Sequence, residues 1–183
     1  MKQMDEKQMT LGTDYDGENP AGWFMSEKLD GCRAYWDGIR FWTRGGEIIK
    51  APAWFTKGLP PVHLDGEIYA GRGQLQAARL ATQYGGRHFT RKIRFVVFDR
   101  PQSHTYWPYR LSLAGHELRK DRYASSIPFI VCDGYAHLFS YLNKIQTDGG
   151  EGVMLRHPHV TSYEIGRTKN LLKVKAAHPA MFV

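Results

Sequence analysis

The chain has 183 residues, enough to bury a core in one domain, with 42% hydrophobic and 23% charged residues and a net charge of +7. No apolar run is long enough to cross a bilayer, the first ten residues lack the charged-then-apolar pattern of an export signal, and Cys32 and Cys132 form neither a disulfide framework nor a metal-type spacing. A helical membrane protein, a disulfide scaffold and a zinc module are thereby excluded, and a soluble, cytoplasmic protein is expected.

Residues 1–20 are polar and rich in Gly and Asp, and are expected to be a loose leader. Residues 1–22 set Lys2 and Lys7 against Asp5, Glu6, Asp14, Asp16 and Glu18, a net −3, so the remainder of the chain carries +10. Short strands are predicted over Trp23–Ser26, Ala34–Trp36 and Ile39–Trp42, the last two joined by an Asp37-Gly38 hairpin turn. Apolar spacing predicts helices over about 74–83, 109–123 and 136–146, and buried strands over Ile93–Phe98 and Gly152–Arg156. This mixture predicts an α+β domain with antiparallel sheets around a cleft. Between Ala70 and Phe98 lie Arg72, Arg79, Arg87, Arg91, Lys92 and Arg94 with no acid, a block that fits a polyanion such as the phosphate backbone of a duplex.

The chemistry concentrates in Ser26-Glu27-Lys28-Leu29-Asp30-Gly31-Cys32-Arg33, which places one lysine in a Lys-x-Asp-Gly-x-Arg frame. An amine that attacks phosphorus must be neutral, while a free lysine has a pKa of about 10.4, so such a site must desolvate the amine or crowd it with cations. Lys173 and Lys175 sit two apart on a predicted strand, hence on one face, and supply such cations. No Gly-x-x-x-x-Gly-Lys-Ser/Thr phosphate loop is present.

In chain order follow Thr43-Arg44-Gly45, Leu64-Asp65-Gly66-Glu67-Ile68, Phe95-Val96-Val97-Phe98-Asp99, Glu151-Gly152-Val153-Met154-Leu155-Arg156 and Leu171-Leu172-Lys173-Val174-Lys175. Together with the Lys28 run, this series resembles the nucleotidyltransferase motifs I, Ia, III, IIIa, IV and V of ATP-dependent DNA ligases, over about residues 22–178. The Gly22–Lys28 stretch and Tyr163-Glu164-Ile165-Gly166-Arg167 are most similar to the small ligases of bacteria and their phages.

The resemblance implies an ATP-grasp-like nucleotidyltransferase fold over residues 21–183, with sheets flanked by helices around a nucleotide cleft. It implies that Lys28 attacks the α-phosphorus of ATP to form lysyl-AMP, and that AMP then passes to the 5′-phosphate of nicked double-stranded DNA. By resemblance Lys173 and Lys175 bind the α-phosphate, Glu67 bonds the ribose, and Glu67 and Glu151 reach Mg2+, a cation that takes few protein carboxylates and keeps its waters. Phe98 stacks on adenine, with the base edge read near Glu27 and its backbone. Arg33 and Arg44 resemble arginines that bind ribose, AMP phosphate or the nick phosphate, and Arg167 adds a phosphate contact beside Arg72, Arg79 and Arg87. Asp65 shares the strand face of Glu67 and is a supporting candidate.

A monomer is expected, acting in the cytoplasm of a bacterium or of a phage-infected host, although some small ligases of this kind are exported. Ligases of this family carry an oligonucleotide-binding β-barrel directly after the last motif; the sequence ends at Val183, eight residues past Lys175, so no such barrel is expected within it. Two alternatives stand beside the ligase: a module that binds AMP or nicked DNA with little turnover, and an RNA ligase or capping-type nucleotidyltransferase.

Overall fold

Period-two alternation along the central strands builds this molecule: one set of side chains is apolar and packs against a helix, and the other faces a cleft between two sheets. A computed structural model describes residues 2–183. After a 3₁₀ turn at Glu6–Gln8, the strands are β1 (Thr10–Asp14), β2 (Phe24–Lys28), β3 (Cys32–Trp36), β4 (Phe41–Thr43), β5 (Ile48–Ile49), β6 (Leu64–Tyr69), β7 (Arg94–Asp99), β8 (Ala124–Ser126), β9 (Ile130–Val131), β10 (Gly152–Arg156) and β11 (Gly166–Val174). Helices are α1 (Ala53–Thr56), α2 (Leu75–Tyr84), α3 (Trp107–Glu117) and α4 (Tyr135–Thr147).

One sheet runs β1-β11-β10-β2-β9 and the other β5-β4-β3-β6-β7-β8. Neighbours are antiparallel except β1 with β11 and β7 with β8, so each sheet expected to be antiparallel ends in one parallel pairing. The β7–β8 case follows from its connection, since a crossover through α3 returns the chain in the same direction. The predicted α+β domain with two sheets and flanking helices is the one observed.

The first sheet turns Met25, Val153, Leu155, Leu172 and Val174 toward Leu138, Leu142 and Ile145 of α4, which recur at helical spacing. The second turns Ala34, Phe41, Ile68, Phe95 and Val97 toward Phe55 of α1 and Ala78 and Ala81 of α2. Trp107, Leu111 and Ile127 pack with Phe24, Val96 and Phe98 and close one side of the cleft between the sheets. Among the described residues no helix is long and apolar enough to cross a membrane.

Two expectations need correction. The supposed loose leader is ordered: Asp5 caps the 3₁₀ turn by accepting the Lys7 N–H at 2.9 Å, and β1 pairs along β11. Met4 and Met9 anchor it by packing with Tyr35 and Trp42, burial that its average polarity conceals. The helix expected over 109–123 spans Trp107–Glu117 instead. Past Leu118 the polar run Arg119-Lys120-Asp121-Arg122 offers no face to bury, and Asp121 Oδ1 accepts the N–H groups of Tyr123 and Ala124 at 2.8 and 2.9 Å, a local turn that leads into β8.

Candidate active site

Lys28 ends β2, where Leu29-Asp30-Gly31 turns the chain into β3. The turn needs glycine because a Cβ at Gly31 would overlap the carbonyl oxygen of Ile68 on β6. The Gly66 position is similarly closed by the Val96 carbonyl, and this close approach of β6 and β7 sits between the outward-core residues Leu64 and Ile68 and the cleft residues Asp65 and Glu67. Between the sheets lies a cavity of about 460 Å3, lined among others by Lys28, Arg33, Glu67, Phe98, Arg156 and Lys173, a volume suited to a small-molecule ligand such as a nucleotide.

The Lys28 ammonium donates to Glu151 Oε1 at 2.9 Å, and Lys175 Nζ lies 3.5 Å from the same oxygen. Lys173 lines the cavity and lies 3.6 Å from Asp14. The two lysines do not share one strand as expected, because β11 ends at Val174; Lys175 is exposed just beyond it and approaches the site through Glu151.

Glu67 stands opposite Arg33 in the β3–β6 pairing and makes no side-chain hydrogen bond among the described residues. Burial pushes its carboxyl up to about 8; Arg33 and Lys28 oppose the shift, and Asp65 and Glu151 add to it. Arg33 is held by Asp65, donating through Nε at 2.7 Å and Nη2 at 2.6 Å. Burial disfavours its charge, but Asp65 more than offsets this and holds the guanidinium above its ordinary range. The half-buried Phe98 ring faces the cavity with the Arg33 guanidinium 5.0 Å from its centroid.

No family model matches the chain. Over 165 residues it is 34% identical to a DNA ligase of Haemophilus influenzae, an alignment that covers 89% of this chain and 61% of the relative. It is 32% identical to a solved Lig E DNA ligase, with a TM-score of 0.81 over 92% of this chain and 68% of that one. The chain belongs to the ATP-dependent DNA ligases, as an adenylation domain.

A Chlorella virus DNA ligase-adenylate shares this ligase fold at a TM-score of 0.74 and 21% identity, over 92% of this chain and 67% of its own. The chain thus spans about three fifths of the curated relative, 61% of its length.

Several of this ligase domain's expected site residues are committed to other partners. Glu27 lines the cavity, but its carboxylate takes Arg72 bidentately at 2.9 and 3.0 Å, so the acid expected to read the base and an arginine expected to contact DNA are bonded to each other. Alternation explains this, since Met25 and Glu27 share the α4 side of β2 while Ser26 and Lys28 face the cleft. Arg44 lines the cavity with its Nε 2.8 Å from Glu6, and Arg167 lines it while donating to the Gly12 carbonyl at 2.8 Å. Arg79 and Arg87 are exposed, line no part of the cavity and form no ion pair among the described residues.

Arg156 closes its motif with no role that the resemblance assigns, yet it is buried against the same cavity. Its guanidinium lies 4.5 Å from the Trp107 ring and 5.5 Å from that of Phe98, and donates to Ser26 Oγ at 3.1 Å. Burial lowers its pKa to about 10, which leaves it cationic at neutral pH. The signal for it in the sequence is its phase: Met154 and Arg156 alternate with the core residues Val153 and Leu155.

Proposed function

We propose that this domain performs lysine adenylation from ATP and delivers AMP to the 5′-phosphate of nicked duplex DNA. The observation that carries the reading is Lys28 on a 460 Å3 cavity that also gathers Glu67, Arg33, Phe98 and Lys173. Lys28 Nζ attacks the α-phosphorus, the new N–P bond forms as the bond to the bridging oxygen breaks, and pyrophosphate leaves. The ammonium gains the attacking lone pair only by giving up a proton, for which Glu151 Oε1 at 2.9 Å is the adjacent acceptor, and entering phosphates compete for Lys28 and Lys175 against that single carboxylate. Phe98 offers a face for the purine, and Lys173 neutralises charge on the α-phosphate. In the later steps Arg44 and Arg167 lie at the rim for the 5′-phosphate, while Arg79 and Arg87 meet the duplex backbone.

Glu67 and Glu151 are the residues that would hold magnesium. Among the described residues no cluster of three or more His, Cys, Asp or Glu side chains is placed to hold a metal, so a cation here would draw most of its ligands from water and phosphate, as magnesium does. The unpartnered, charge-averse carboxyl of Glu67 fits an incoming cation that restores its ionised form. When bound, magnesium shields phosphate charge and orients the leaving group.

The test is an intact-mass spectrum of the chain before and after ATP with magnesium, beside Lys28→Ala. One AMP added to the wild type alone is the expected result. A folded wild type that stays unmodified would defeat the proposal that this domain adenylates itself.

A further inference from the structure

The two sheets are joined across the cleft by a closed ring of hydrogen bonds. The Thr10 N–H donates to the Tyr163 hydroxyl at 2.9 Å, and that hydroxyl donates to Asp65 Oδ2 at 2.6 Å. The same Asp65 oxygen accepts Arg33 Nη2 at 2.6 Å, and Nη2 also donates to the Thr10 carbonyl at 2.9 Å. Thr10 belongs to β1 of the first sheet, Arg33 and Asp65 to β3 and β6 of the second, and Tyr163 to the loop between β10 and β11.

The loop carrying Tyr163 has further ties through its neighbour Glu164. Glu164 accepts Asn170 Nδ2 at 2.9 Å through its carboxylate, and its carbonyl accepts the Thr10 hydroxyl. Tyr163 therefore arrives at Asp65 pre-positioned, and its buried hydroxyl titrates well above the ordinary tyrosine range, so it remains a donor at any neutral pH. Asp65 is 1% exposed, so its orientation is decided by these two donors rather than by water. With Nε and Nη2 of Arg33 engaged, Nη1 is the nitrogen without a partner among the described residues, on a side chain that lines the cavity.

We propose that Tyr163 is a positioning residue for nucleotide binding, acting through Asp65 to fix the plane of Arg33 and tying β1 into the site. The inference rests on the nucleotide reading of the cavity. A hydroxyl that both accepts from β1 and donates to Asp65 sets the distance between the sheets at the point where Arg33 enters, so its loss frees the guanidinium to rotate away from the ligand. A purely architectural tyrosine would instead affect the fold and the site independently.

The test is a double-mutant cycle read by calorimetric ATP binding without divalent metal, with thermal unfolding of each protein measured in parallel. Tyr163→Phe removes one oxygen and keeps the ring. It is expected to melt cooperatively and to bind ATP roughly tenfold more weakly, the scale of one missing buried hydrogen bond. Arg33→Lys should show a similar loss, and the double variant should bind no more than about twofold worse than Arg33→Lys alone. Losses that multiply in the double variant, or a wild-type affinity in Tyr163→Phe, overturn the proposal. Loss in Tyr163→Phe with none in Arg33→Lys removes Arg33 from the nucleotide reading and overturns the inference with it. A wild type that binds no ATP overturns both.

Discussion

Two ion pairs in the cleft differ in enclosure and in the number of bonds that join them. Arg33 and Asp65 meet through two bonds, with Asp65 almost fully enclosed and a tyrosine hydroxyl on the same carboxylate. Lys28 and Glu151 meet through one contact at 2.9 Å, each side chain about a quarter exposed at 21% and 27%, with Lys175 competing for the same oxygen. Removing one partner from an enclosed, bidentate pair strands a charge, whereas a partly exposed single contact costs less to open. The first pair suits the positioning proposed for Arg33, and the second the opening proposed for Lys28.

The sharpest way to break this comparison is to remove Lys28 and Asp65 in turn. Lys28→Ala should eliminate the AMP adduct in the mass spectrum while leaving the urea midpoint almost unchanged. Asp65→Ala should cost about 3–5 kcal/mol in urea unfolding, because it leaves Arg33 uncompensated. Equal stability losses in the two variants would contradict the distinction between them.

On the basic surface proposed to meet DNA, Arg79→Ala combined with Arg87→Ala should lower affinity for nicked duplex and reduce the salt slope by about 2, one unit for each proposed phosphate contact removed. A salt slope equal to that of the wild type would remove the basic block from the DNA reading. The effect expected at Glu67 appears only as a pH dependence. Its folded-state pKa of about 8 lies above the ordinary 4.5, so the native state holds the extra proton and stability falls as pH rises through that window. Glu67→Gln should therefore flatten the decline in melting temperature between pH 5 and pH 8, a window set by the same shift; an unchanged profile would mean that burial does not perturb this carboxyl.

Legibility in the sequence follows the range of the interaction. The strand Gly152–Arg156 is legible to the residue because its alternation is local, and α4 because Leu138, Leu142 and Ile145 repeat at its period. The leader reads as loose because composition averages over a segment, and two methionines outweigh it only when Tyr35 and Trp42 lie opposite. Glu27 and Arg72 read as having separate partners because nothing in a linear pattern shows that the loop before α2 folds back onto the far side of β2.

By itself the sequence determined that Asp65 and Glu67 would share one face of a strand, since period-two alternation is a property of the backbone. Only the tertiary structure decided that Thr10 and Tyr163, 153 residues apart, close a ring around Arg33 and Asp65, and that Glu151 is shared between Lys28 and Lys175. Such contacts depend on which strand lies beside which, and that is decided by the packing of whole sheets against their helices rather than by the order of residues along any one strand.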